Sequence, residues 1–118
     1  MMLSEQINNL FNQQLADWPM AKENYNALRD VLVRSVCYDD HEIRLQFNPK
    51  RIVSSSAKVD PKSLSERPCF LCTRNRPAEQ QGIPYLNNYL ILLNPYPVFS
   101  PHLTIPTTKH LPQRISGN

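Results

Sequence analysis

The chain has 118 residues, a formal net charge of +3 and 41% hydrophobic content, with eleven prolines against two glycines and only three cysteines. That length suits one domain rather than two, and the apolar content lies well above the disordered range. An odd cysteine count argues against a closed disulfide framework, no apolar run approaches the roughly 18 residues of a membrane span, and so mild a charge makes nucleic acid an unlikely partner. The opening residues, Met1 to Gln6, lack the basic n-region of a secretory signal. With the cysteine usage, this leads to the expectation of a reduced, cytoplasmic protein.

Residues 3 to about 18 carry Leu3, Ile7, Leu10, Phe11, Leu15 and Trp18 at helical spacing, with Ser4 as the expected N-cap. Pro19 opens a second short helix whose apolar side is Ala21, Tyr25 and Leu28. Core packing accounts for both stripes. Residues 31–38 are rich in aliphatic and β-branched side chains, Asp39 and Asp40 make a turn, and 42–47 alternates with Ile43, Leu45 and Phe47 on one face. That pattern is an antiparallel hairpin, with Cys37 inside its first strand as a small apolar residue and His41 solvated at the turn exit. Residues 48–56 read as a strand edge followed by a loop, and 60–67 as one helical turn ending at Pro68.

Gly82 falls in a polar loop. Beyond it, 89–93 is a continuous apolar strand, 94–101 a proline-rich link, and 102–107 a returning strand with Leu103 and Ile105 on one face. The prolines leave short strands and stiff connections, and little helix after about residue 30. The expected fold is α+β in a single domain over 1–118: helical through residue 30, then mainly β hairpins and loops, with the helices packed on an antiparallel sheet. Strand edges near 89–107 make pairing with a second copy of the chain an expectation.

The chemistry concentrates in Cys69-Phe70-Leu71-Cys72 and the distant His110. Two thiols from one tight turn and an imidazole supply three corners of a tetrahedral zinc site. After His110 no Cys, His, Asp or Glu remains, so the fourth corner has no candidate downstream. A redox dithiol normally opens a helix in a βαβ unit, which this sequence does not show, and a pair of plain structural thiols is the other reading. Zinc leads the three. The third histidine, His102, opens the returning strand. Lys50, Arg51, Arg74 and Arg76 give slender support to a zinc-containing nucleic-acid module, which would need a second CxxC or an HxxxH.

Residues 89–115, beginning Tyr-Leu-Ile-Leu-Leu-Asn-Pro-Tyr-Pro-Val-Phe and continuing through Ser-Pro-His-Leu-Thr-Ile-Pro, resemble the central hairpin of the histidine-triad (HIT) superfamily. The Leu111-Pro112-Gln113-Arg114-Ile115 ending is similar to the GDP-hexose phosphorylases in particular. Asn48-Pro49-x-Arg51 and Arg67-Pro68-Cys69-Phe70-Leu71-Cys72 resemble galactose-1-phosphate uridylyltransferases, and the Asn-Pro-x-Pro-Val stretch resembles the diadenosine tetraphosphate phosphorylases. The resemblance covers residues 48 to 115 and leaves the N-terminal helices outside it.

The resemblance implies a nucleotide-binding α+β fold and transfer at an α-phosphate through a nucleotidyl-histidine. Asn94 would bind the ribose hydroxyls, Arg51 would face a phosphate, and Cys69, Cys72 and His110 would hold zinc. The substrate implied is a nucleotide sugar or dinucleotide. The family's nucleophile lies in a His-x-His motif, which the sequence lacks; its histidines are His41, His102 and His110. The expectation is therefore the N-terminal part of a longer HIT-like nucleotidyltransferase, not catalytic by itself. A non-catalytic module for a nucleotide or a protein partner is the alternative.

Overall fold

The computed structural model describes residues 1–112 and 114; Gln113 and Ile115, in the ending on which the family resemblance partly rests, lie outside these residues. Two helices start the chain, α1 (Leu3–Asp17) and α2 (Pro19–Asn26), followed by a 3-10 turn at Ala27–Asp30. The first boundary differs from expectation. Met2 holds the N-cap position, and its backbone N–H donates to the Glu5 carboxylate at 3.0 Å, while Ser4 lies within the helix. An acid one turn in satisfies an otherwise orphaned donor and complements the helix dipole. At the second boundary Pro19 takes the first helical position, where its missing N–H costs nothing.

The strands form two separate sheets. β1 (Leu32–Tyr38) and β2 (His41–Phe47) make a two-stranded antiparallel ribbon, and β3 (Gly82–Tyr85), β4 (Tyr89–Leu93) and β5 (Leu103–Thr104) make a three-stranded sheet with β4 in the middle. The ribbon turns through Asp39 and Asp40, both left-handed at φ 48° and 64°, as a two-residue primed turn demands. The helices pack on the three-stranded sheet, giving the expected α+β arrangement. Trp18, Ala21, Tyr25 and Leu93 form the core, with Phe11, Leu15, Leu28 and Leu103 packed around it. Phe11 and Tyr25 meet edge to face with centroids 5.2 Å apart.

Two buried amides tie helices to sheet. Gln14 donates to the Glu79 carbonyl at 2.9 Å and accepts the Gln81 N–H at 3.0 Å. Asn24 donates to the Pro95 carbonyl at 2.7 Å. Each sits on the apolar side of its helix and is buried, but each makes a hydrogen bond that offsets the cost of burying an amide.

Four expectations are corrected. Residues 48–56 are helical, with a 3-10 turn at Pro49–Arg51 running into α3 (Ile52–Ser55). Asn48 caps the turn by accepting the Lys50 N–H, and Pro49 follows at the first helical position. Gly82 is not loop; it opens β3, opposite Leu92. Cys37 is exposed, and so is the Ile43, Leu45 and Phe47 face, because among the described residues no other element covers the ribbon.

The returning strand is named only over Leu103–Thr104, and Ile105 is 53% exposed while Leu103 packs on the core. Its register nevertheless holds from end to end. Asn94 donates to His102, Leu92 pairs with Thr104, Leu90 donates to Pro106, and Thr108 donates to Asn88. Pro106 has no N–H to return, which interrupts the ladder without shifting it. The short helix at 60–67 is present as α4 (Pro61–Glu66), capped by the Asp60 carboxylate on the Ser63 N–H at 3.0 Å. Of the 89–107 segment, β4 is paired on both sides, so its free edge belongs to the returning strand. No helix among the described residues is long and apolar enough to cross a membrane.

Candidate functional site

Two clusters carry the site residues expected from sequence, at opposite ends of the 88–108 hairpin. At the open end, Cys69, Cys72 and His110 come together with all their ligand atoms within 4.8 Å of one another. Cys72 Sγ lies 3.3 Å from His110 Nδ1. The cysteines sit on a tight turn closed by Cys72 N–H to Cys69 O at 3.2 Å. The next turn winds back on it: Asn75 and Arg76 donate their backbone N–H groups to the Cys72 carbonyl, and the Asn75 amide donates to the Cys69 carbonyl at 3.0 Å. Arg67, extended before Pro68, delivers the chain into this knuckle.

The two sulfurs are electrostatically unequal. Burial alone would raise the Cys69 thiol, but hydrogen bonds from the Leu71 and Cys72 N–H groups and the Cys72 thiol outweigh it and leave Cys69 below the ordinary thiol range. Cys72 moves up, first because it is held as a donor to Cys69 and then through burial and the Cys69 charge; Arg74 and Arg76 oppose the rise. The pair thus shares its proton, with Cys69 as the better thiolate. Zinc–sulfur and zinc–nitrogen bonds of about 2.3 and 2.0 Å put the ligands of a tetrahedral ion between three and four ångströms apart. The donor set and the Cys72–His110 separation fit three corners of such a site. Among the described residues no fourth Cys, His, Asp or Glu joins the group.

At the closed end, Asn94 and Arg51 converge on one residue, Tyr96. The Asn94 Oδ1 accepts the Tyr96 N–H at 2.8 Å, and the Arg51 Nε donates to the Tyr96 carbonyl at 3.2 Å. The first bond is an Asx turn, as Asn before Pro commonly makes. It engages the oxygen of Asn94. Among the described residues only the Nε of the Arg51 guanidinium is hydrogen-bonded, and Arg51 comes from the cap-and-proline turn that follows β2. Beside it is a cleft of about 310 Å³ lined by Phe47, Asn48, Arg51, Ile52 and Ser55, among others.

His102 has a structural role. Its Nδ1 accepts the Val98 N–H at 3.1 Å, and Phe99 stacks on its ring with centroids 4.5 Å apart. Burial, and then the Arg51 charge, hold its pKa below the usual histidine value, so the ring is neutral with its proton on Nε2. The Tyr25 hydroxyl donates to the Asn94 carbonyl at 2.9 Å and accepts the His102 N–H at 3.3 Å, clamping the hairpin's closed end to α2. Sequence reasoning placed Tyr25 in the core but missed this clamp; a lone tyrosine among leucines, needing a partner for its hydroxyl, was the available signal. Among the described residues no hydrogen bond joins the two clusters.

A family model described as a domain of unknown function, DUF4922, matches residues 10–118. No curated protein and no solved structure matches the chain.

Proposed function

With that match spanning nearly its whole length, the chain belongs to the DUF4922 family, and we propose that it is the nucleotide- and zinc-holding part of a nucleotidyltransferase or phosphorylase of histidine-triad type, acting on a nucleotide sugar or dinucleotide. One observation carries the reading: Asn94 and Arg51, 43 residues apart in sequence, are both hydrogen-bonded to the backbone of Tyr96, and Arg51 lines an open cleft. An amide donor for ribose hydroxyls and a guanidinium for a phosphate are the two polar groups a nucleotide asks of a site.

Cys69, Cys72 and His110 would hold zinc in this reading. With two thiolates and an imidazole the ion would brace the knuckle against the hairpin's open end and supply folding energy there. Arg51 would bind and orient phosphate, its Nε already spent on Tyr96 so that the fork cannot swing. Asn94 would orient the ribose through Nδ2. No covalent step is assigned to the chain, because the sequence contains no His-x-His from which a nucleotidyl-histidine forms. A second reading is a module that binds nucleotides without turning them over.

Calorimetric titration with GDP, UDP and ADP tests the binding. Saturable binding is expected, weakened about tenfold to a hundredfold by Arg51→Ala, the effect of losing a charged hydrogen bond. No binding of any nucleotide, or binding indifferent to Arg51, overturns both readings. Incubation with GDP-hexose, UDP-hexose or diadenosine polyphosphate plus phosphate then separates them, since release of a nucleotide requires an enzyme.

A further inference from the structure

The β1–β2 ribbon has one apolar face and one polar face, and the apolar one lies uncovered. The register sets Leu32 opposite Phe47, Arg34 opposite Leu45, Val36 opposite Ile43 and Tyr38 opposite His41, so these eight side chains share a face. Six of them are large apolar groups, each between 43% and 72% exposed. The other face carries Ser35, Glu42, Arg44 and Gln46. Gln46 donates to the Val98 carbonyl at 3.1 Å, so the polar face is the one tied to the 94–101 link. A half-buried antiparallel pair ordinarily turns its apolar side to the core. A contiguous exposed apolar patch with a polar rim marks contact with another polypeptide.

We propose that this face is where a second copy of the chain docks, two ribbons stacking head to tail about a twofold axis into a four-stranded sandwich. The area fits that occupant. The six side chains present roughly 500–600 Å² at their observed exposure. Two such faces pressed together bury roughly 1,000–1,200 Å², the lower end for a specific dimer. Stacking also gives each ribbon the second layer that two strands alone lack.

Shape and charge set the direction. An open groove of about 440 Å³ lies at the root of the ribbon, bounded by Leu32, Arg34, Leu45 and Phe47 of this face and by Val33 and Gln46. Tyr38, the most exposed of the six, stands at the opposite end beside the Asp39–Asp40 turn. Head to tail, Tyr38 of each copy meets the groove of the other, as a self-complementary twofold contact requires. Turn on turn, four aspartates would crowd together. Arg34 lies on β1, an edge strand, so its stem can cover apolar surface while its guanidinium stays in water. The contact needs neither a nucleotide nor a metal.

Sedimentation velocity of the whole chain under reducing conditions, from about 1 to 500 µM, tests the contact. A monomer–dimer equilibrium in the micromolar range is expected, in keeping with the modest area. Ile43→Lys sets a charge at the middle of the face and is expected to leave only monomer. Tyr38→Thr keeps a good strand former and is expected to weaken the dimer about tenfold. Arg44→Gln, on the polar face, is expected to leave the equilibrium within about twofold of the parent. Far-ultraviolet circular dichroism confirms that each variant keeps its fold.

A chain that stays monomeric throughout that range overturns the proposal. So does a dimer that survives Ile43→Lys, or one lost in Ile105→Lys instead, which would place the contact on the free edge of the returning strand. A dimer abolished by Ile43→Lys yet untouched by Tyr38→Thr overturns the head-to-tail seating. Growth into ever larger species also overturns it, because a twofold contact closes at two copies.

Discussion

Tyr25 shows how much one side chain on the helical side does for the hairpin. Its ring belongs to the core, and its hydroxyl serves Asn94 and His102 at once. Tyr25→Phe would keep the packing but leave two half-buried backbone groups without that partner, so a loss of about 1–3 kcal/mol is expected in urea denaturation. Burial pushes the Tyr25 pKa up to about 12, partly offset by the hydrogen bond with His102. An acid whose folded pKa is raised binds its proton more tightly when folded. Its contribution is complete below the ordinary value near 10 and is lost as pH rises from there through about 12. The parent is expected to lose stability over that window, and Tyr25→Phe to lose less. Equal alkaline slopes in the two proteins would contradict this.

Among the elements, the three-stranded sheet has its tightest spot at Gly82. A Cβ there would lie 2.8 Å from Leu90 Cγ and Cδ1 and 2.9 Å from Leu92 Cδ2. Leu92 is fully buried and has no room to retreat, so Gly82→Ala is expected to cost about 1–3 kcal/mol by overpacking, read as a lowered Tm. An unchanged Tm would mean that β3 is not seated as described. The glycine shows where local reasoning stopped short. In sequence it looks like loop punctuation, and only the proximity of two leucines on β4 makes it a strand residue.

The helices and β4 were legible because each carries an unbroken apolar period, and the ribbon because alternation and a turn pair agree. The 48–56 segment was not. Its cap, Asn48, and its proline at the next position were both visible, but the β-branched Ile52 and Val53 argued the other way, and the cap's hydrogen bond to Lys50 prevailed. For the site, the CxxC turn and His110 were legible as a donor set, whereas the meeting of Asn94 with Arg51 at Tyr96 depends on tertiary placement. Asn48 carried no local signal beyond its capping chemistry.

At the scale of the whole molecule, the knuckle of residues 69–76 is joined to the rest chiefly through what His110 can share with it. A metal ion would turn that contact into a cross-link between segments some 40 residues apart. Zinc at a hundred times its Kd would stabilise the fold by about 2.7 kcal/mol, a rise in Tm of roughly 10 °C. The increase should vanish on chelation and in Cys69→Ser, and fade as pH falls because the ligands bind as thiolate and neutral imidazole. A Tm indifferent to zinc in the parent would exclude the metal reading.

The unbroken register of the hairpin sets the distance between the two clusters. From Asn94 to Asn88 the strand advances six residues, about 20 Å at the usual rise, and Thr108 lies opposite Asn88 with His110 just beyond. The hairpin is thus a spacer of fixed length, with the Asn94–Arg51 cluster at one tip and the two thiols with His110 at the other. A residue inserted between 103 and 108 would leave Asn94 in place yet carry His110 one step along and turn it to the opposite face. Pro106 gives up one hydrogen bond in this spacer, but the spacing itself is preserved.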